Sequence, residues 1–318
     1  MKISVIIPVY NAEKYVRKAV ESALQQAETD EILLVEDNSP DNCLQICQDL
    51  EKEHEKIRLL RHPDGKNHGA GATRNLGIKN AKFDYIAFLD ADDFYLPDRF
   101  VVAKKLFQQR HDIDGVYEAT GVHFHDPQVR QRWFSSGGDE LATIIDTINP
   151  IDLFEALIKG RKGYIHLDGL VVKKNIFEHC GYFFEHLRLH QDTAMLFQMS
   201  ACDKLIPGRL NAPVAMRGMH GENRITSEYN WRQTRFLLWK TLFYWAHKRK
   251  LKNSRLTTLF LRYTYSSYRL ARGNGTLSLK NWPQLKELLF ESLRHPFLFI
   301  GAISEFVYNK YARQGFPS

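Results

Sequence analysis

Over the first hundred residues, short apolar-rich runs alternate with amphipathic stretches. Residues 3–9, 32–35, 57–60 and 85–89 are dominated by Ile, Val, Leu and Phe, the pattern of strands buried on both faces. Between the first two runs, residues 13–26 place Val16, Ala19, Val20 and Ala23 on one face of a predicted helix. Ser39 and Pro40 predict an N-cap and a first-turn proline for a helix reaching about His54. The glycine-rich segment His68-Gly-Ala-Gly-Ala-Thr-Arg74 leads into another helix, predicted to end near Ala81. This alternation predicts βαβ units around a parallel sheet and hence an α/β fold. Farther along, residues 116–124 read as extended, a helix follows Pro150, residues 170–172 form another buried strand, and residues 189–199 begin a helix with Asp192 in its first turn.

Each polar cluster of chemical interest falls just after a strand. Asn11, then Glu36 and Asp37, then Asp90 and Asp92 would line up along the carboxyl edge of the sheet, where open α/β folds bind ligands. Asp90, Asp92 and Asp93 crowd three anions together, an arrangement suited to a divalent cation or a hydrogen-bonded ribose. Two plainer readings stand beside this one. The acids could cap a helix beginning near Pro97, and Asp192 could be a helix-terminal charge favoured by the macrodipole.

With 318 residues, 44% of them hydrophobic, the chain can bury one large α/β domain plus an appendage, or two domains. No run of about 18 apolar residues occurs, and the apolar first ten residues are too short for a span, so a cytoplasmic chain is expected. The spacing of the four cysteines suggests neither a metal site nor a disulfide framework, and they read as buried free thiols. The net charge of +7 is unevenly distributed. Residues 232–318 hold 16 Lys and Arg against three acids, whereas residues 1–231 hold 28 against 34. That shift marks a boundary near Tyr229, with a first domain over 1–228 and a basic, aromatic, helical region over 229–318.

Taken together, Val5-Ile-Ile-Pro-Val-Tyr-Asn11, Val35-Glu-Asp-Asn-Ser39, Gly71-Ala-Thr-Arg-Asn-Leu-Gly77, Phe88-Leu-Asp-Ala-Asp-Asp93 and Gln191-Asp192 occur in an order and spacing that resemble family 2 glycosyltransferases with the GT-A fold. The resemblance covers roughly residues 1–225. It implies a Rossmann-like mixed sheet flanked by helices, with nucleotide-sugar binding over about 1–110 and the acceptor side over about 111–228. It further implies that Pro8, Val9 and Asn11 shape the nucleotide pocket, that Tyr10 packs near the base and that Asp37 accepts a hydrogen bond from a uracil-type N–H. Arg74 would approach the pyrophosphate, Asp90 would contact the ribose or a metal-bound water, Ala91 would line the nucleotide-sugar site, and Asp92 would hold Mn²⁺ or Mg²⁺. Asp192 resembles the catalytic base of an inverting transfer, with Gln191 where relatives commonly have Glu. Arg217, His220 and Arg224 resemble a loop that closes over the donor, with His220 as a further metal ligand.

The implied partners are a nucleotide-diphosphate sugar, UDP-linked, and a glycan or lipid-linked acceptor in surface polysaccharide synthesis. The cations and aromatics of 232–318 suit an anionic membrane on its inner face, a helical domain packing its aromatics inward, or a homodimer contact. Nucleic acid ranks last, since no binding module accompanies the charge. Two alternatives to the transferase are a sugar nucleotidyltransferase, which would want a basic glycine-rich loop after the first strand where Val9-Tyr-Asn-Ala-Glu13 stands, and a non-catalytic membrane- or glycan-binding scaffold.

Overall fold

The structure, a computed structural model of the chain, describes residues 1–160, 162–220 and 230–272, together with 286, 293, 294 and 296. The chain divides into two compact units, Met1–Ser227 and Glu228–Ser318.

The first unit opens as the alternation predicts: β1 (Ile3–Val9), α1 (Val16–Leu24), β2 (Thr29–Glu36), α2 (Cys43–Glu53), β3 (Ile57–Arg61), α3 (Ala70–Asn80) and β4 (Tyr85–Phe88). Then come β5 (Phe94–Tyr95), α4 (Val101–Gln109), β6 (Gly115–Tyr117), β7 (Thr120–Phe124), α5 (Pro127–Ser135) and β8 (Leu141–Ala142). The unit finishes with α6 (Leu153–Lys159), β9 (Leu170–Lys173), α7 (Ile176–Cys180), α8 (Gln191–Cys202), β10 (Leu205–Pro207) and β11 (Ala215–Met219). The main sheet runs β10-β6-β9-β4-β1-β2-β3. It is parallel except for β9, which lies antiparallel between β4 and β6. A smaller sheet, β5-β11-β7-β8, carries the chain past the end of β4.

The main sheet is the core. Val5, Ile6, Ile7 and Val9 of β1 and Ile32, Leu33, Leu34 and Val35 of β2 are fully buried, because helices cover both faces and leave no side for polar residues. Close approach of α3 to β1 rests on Gly77, where an added Cβ would lie 2.5 Å from Cγ2 of Ile6. Since β1, β2 and β4 run parallel, their carboxyl ends emerge together, which brings residues near 10, 37 and 90 to one edge.

Three local expectations change. The second helix begins at Cys43, and Ser39 and Pro40 lie in the loop before it, where Ser39 Oγ accepts a hydrogen bond from the Asn11 N–H. No helix begins at Pro97; a turn with Asp98 at φ 62° precedes α4. The extended segment 116–124 is two strands in different sheets, since Glu118 and Ala119 turn the chain from β6 to β7. Of the cysteines, Cys43, Cys47 and Cys180 are buried free thiols and Cys202 is exposed.

The second unit contains α9 (Trp231–Lys248) and α10 (Asn253–Arg272). Phe243 of α9 packs against Phe260 and Tyr263 of α10, with ring centroids 5.2 and 5.8 Å apart. Leu238, Leu242, Leu256 and Leu259 are buried as well.

Candidate functional site

A cavity of about 390 Å³ opens at the carboxyl edge of the main sheet. One wall is the turn after β1, formed by Pro8, Val9, Tyr10 and Asn11, with Asn11 in the left-handed region at φ 53°. Asp37, just after β2, is buried, and its two carboxylate oxygens accept the backbone N–H groups of His68 at 2.8 Å and Gly69 at 2.7 Å. It thereby fixes the glycine-rich segment as it enters α3. Neighbouring Glu36 accepts from the Ser39 N–H at 2.5 Å and pairs with Arg61 at 2.8 Å, so this buried carboxylate braces the loop.

The opposite wall is built around Asp90. Arg74, buried on α3, donates to Asp90 at 2.5 Å. Burial opposes the Arg74 charge, but Asp90, with Asp192 and Asp168 behind it, offsets this and raises the Arg74 pKa. Burial also raises the Asp90 carboxyl, against the pull of Arg74. Ala91 and Asp92 line the cavity beside it, and Asp92 Oδ2 lies 3.2 Å from His220 Nε2. The His220 ring stacks on Tyr15, with centroids 4.8 Å apart.

Beneath these residues lies a network that the sequence does not announce. Asp168, in a 3₁₀ turn before β9, accepts the Asp90 N–H at 3.3 Å and pairs with His166 Nδ1 at 3.3 Å. Asp93 accepts the Gly218 N–H at 2.7 Å, tying the Asp-Ala-Asp-Asp turn to β11. Burial, then the neighbouring Asp168, pushes the Asp93 carboxyl well above its ordinary range. Asp168 is held at about 2, because His166, Asp93 and the Asp90 N–H together outweigh its burial. His166 is raised in turn: Asp168 overcomes the desolvation that would discharge the imidazole. Burial and the neighbouring Asp168 thus favour the protonated form of Asp93, while Asp168 favours the charged form of His166.

Asp192 enters from the far side of the cavity, in the first turn of α8, exposed and accepting the Thr193 N–H at 2.7 Å. Gln191 points inward, donating its amide to the Leu187 carbonyl and packing beside Gly71, where an added Cβ would lie 3.3 Å from its Cδ. A glutamate there would face that carbonyl with a carboxylate, which explains the amide. Arg188 and His190 also line the cavity.

Of the residues expected from sequence, Pro8, Val9, Tyr10, Asn11, Asp37, Arg74, Asp90, Ala91, Asp92, Asp192 and His220 line this one cavity. Arg217 does not. It is buried on β11 between the rings of Trp133 and Tyr164, 5.8 and 5.7 Å from their centroids, and its Nε and Nη2 make no hydrogen bond. Arg224 lies outside the described residues. Sequence reasoning passed over Tyr15, Arg188 and Asp168.

Among the described residues, ligand atoms of Asp90, Asp93 and His166 lie within 4.8 Å of one another, close enough to surround a cation. Two of the three already have partners, since Asp93 accepts the Gly218 N–H and His166 pairs with Asp168. Asp92, with about a third of its side chain exposed to the cavity, and Asp90 offer the hard oxygen donors that Mg²⁺ and Mn²⁺ prefer.

The sequence model described as Glycosyl transferase family 2 matches residues 4–167, just over half the chain. The chain belongs to that family. An uncharacterized glycosyltransferase of Rickettsia felis is 40% identical over 113 residues, 35% of this chain and 18% of that one. Chondroitin synthase of Escherichia coli is 35% identical over 116 residues, 36% of this glycosyltransferase and 16% of its own length. This glycosyltransferase thus spans well under half the length of these relatives. Among solved structures, S. aureus TarS 1-349 in complex with UDP-GlcNAc matches with a TM-score of 0.65 at 18% identity, over 89% of this chain and 78% of that one. At that identity the likeness is one of fold, and the fold of this glycosyltransferase is GT-A.

Proposed function

We propose that this family 2 glycosyltransferase moves a sugar from a UDP-linked donor to a hydroxyl of a glycan or lipid-linked acceptor, with inversion and with Mn²⁺ or Mg²⁺, in the synthesis of a surface polysaccharide. One observation carries the reading. Arg74, Asp92 and Asp192 come from three separate elements and line a single cavity at the carboxyl edge of the sheet. The UDP-GlcNAc in the TarS complex and the polysaccharide named for the E. coli relative support the donor and product classes.

In this reading the turn after β1 and the Asp37-capped segment receive the nucleoside. Asp92, with Asp90 and His220 beside it, would hold the cation, which when bound offsets charge on the diphosphate. Arg74 supplies a fixed cation at the cavity wall, held in place by Asp90, to face the diphosphate. Asp192 takes the proton from the acceptor hydroxyl as that oxygen forms its bond to the anomeric carbon. The bond from that carbon to the diphosphate oxygen breaks on the opposite face, and UDP leaves with the electron pair. The Asp93–Asp168–His166 network braces the Asp90 to Asp92 turn, with His166 also at the cavity lining.

Incubating the protein with a panel of UDP-, GDP- and dTDP-sugars and simple glycan acceptors, with product stereochemistry read by NMR, tests the proposal. Transfer or slow hydrolysis of a UDP-sugar with inverted product supports it. A retained configuration, or turnover confined to GDP- or dTDP-sugars, overturns the part concerned. Formation of a nucleotide sugar from UTP and a sugar phosphate would instead establish the nucleotidyltransferase.

A further inference from the structure

Residues 230–272 contain eleven Lys and Arg and no Asp or Glu. Helices that are merely solvated interleave charges of both signs and pair them one turn apart. This hairpin has no carboxylate of its own with which to do so. Its turn is the most basic stretch, His247-Lys-Arg-Lys-Leu-Lys252, closely followed by Arg255, with Lys248, Arg249, Lys250 and Lys252 all exposed.

Aromatic side chains accompany the cations on the outer surfaces. The packed side of α9 and α10 already buries Phe243, Phe260 and Tyr263, yet Trp231, Tyr244, Tyr265 and Tyr268 remain 37–52% exposed, as does Leu237 at the lower end of that range. Lys240 and Lys248 lie one turn either side of Tyr244 on α9, and Arg269 follows Tyr268 on α10. An amphipathic ring next to a long cationic side chain suits a headgroup layer, where the ring meets the acyl boundary and the charge meets phosphate. A soluble polyanion would satisfy the cations and leave the rings in water. Among the described residues no helix is long and apolar enough to cross a membrane.

We propose that the α9–α10 hairpin docks on the surface of an anionic lipid bilayer, its basic turn in the headgroups and its exposed aromatics at the interface. The attraction is charge-dominated, since each basic residue near such a surface adds to the pull of the anionic leaflet. Docking would hold the chain where a lipid-linked acceptor lies, but the proposal does not depend on the transferase reading.

The test is flotation of the full chain with phosphatidylcholine vesicles, with and without about 30% phosphatidylglycerol, in about 50 to about 500 mM NaCl. Expected is partitioning to the anionic vesicles at least about tenfold stronger than to neutral ones, falling steeply with salt. The variant Lys248→Gln/Arg249→Gln/Lys250→Gln/Lys252→Gln should lose at least about tenfold in partitioning. Tyr265→Ser/Tyr268→Ser should weaken it severalfold without altering the salt slope. Equal partitioning to both vesicle types, or none at low salt, overturns the proposal, and both are read on the wild type, so a misfolded variant cannot obscure the answer. Binding to duplex DNA or a soluble polyanion without vesicle binding overturns it in favour of those ligands.

Discussion

The buried ion pair of Arg99 and Glu118 offers a sharp test of how the site is supported. Both side chains are fully buried and meet at 3.0 Å. Arg99 Nε also donates to the Asp168 carbonyl at 2.9 Å, and Glu118 Oε1 accepts the Arg209 N–H at 3.2 Å, so the pair ties the 3₁₀ turn below the site to the crossover between the two sheets. Burial raises the Glu118 carboxyl in spite of Arg99, a sign that attraction falls short of the cost of desolvation. The two facts predict an asymmetry. Glu118→Ala leaves a guanidinium buried without its counter-charge and should cost about 3–5 kcal/mol, whereas Arg99→Met/Glu118→Leu removes both charges and should lie within about 1 kcal/mol of wild type. Urea unfolding of both single variants and the double variant, at constant m-value, gives the cycle. A Glu118→Ala cost below about 1 kcal/mol would refute the reasoning, since the pair would then be neither desolvated nor coupled as its burial requires.

Further outcomes follow from the site itself. Asp192→Asn should lower kcat by about 10²–10⁴ while leaving UDP affinity within about twofold, measured by transfer rate and calorimetry. Gly218→Ala would place a Cβ 2.1 Å from the Asp92 carbonyl oxygen and strain the hydrogen bond to Asp93; it should cost about 2–4 kcal/mol in urea unfolding and weaken Mn²⁺ binding. His166 is raised above its ordinary 6.5, so its pairing contributes stability that is fully present below pH 6.5 and fades as pH rises through the folded-state pKa. In EDTA, the stability gap between wild type and His166→Gln should therefore be widest below pH 6.5 and narrow above it; a gap that widens toward alkaline pH would contradict the ion pair.

The N-terminal half of the fold was readable because its information is local. Three apolar runs, each followed by a helix, and a fourth apolar run allow little besides βαβ units, and the polar residues after the first, second and fourth runs then share an edge. The second sheet was not readable in the same way. β5 and β8 are two residues long, and β11 pairs with β7 across more than ninety positions, so no periodicity within one segment reveals them. The same distance hid Asp168, whose importance comes from meeting Asp90, Asp93 and Arg99 in space. Ser39 and Pro40 misled for a different reason: the Ser39 side chain serves the Asn11 turn and its N–H serves Glu36, so a local capping pattern was spent on the site.

The central claim is that Asp92 and its neighbours make a metal-assisted nucleotide-diphosphate site. Calorimetric titration of UDP into the wild type and Asp92→Ala, each with Mn²⁺ and with EDTA, tests it most directly. The account predicts UDP binding that Mn²⁺ strengthens by about a hundredfold in the wild type and leaves unchanged in Asp92→Ala. Equal UDP affinity with and without Mn²⁺ in the wild type, or no UDP binding at all, would contradict it.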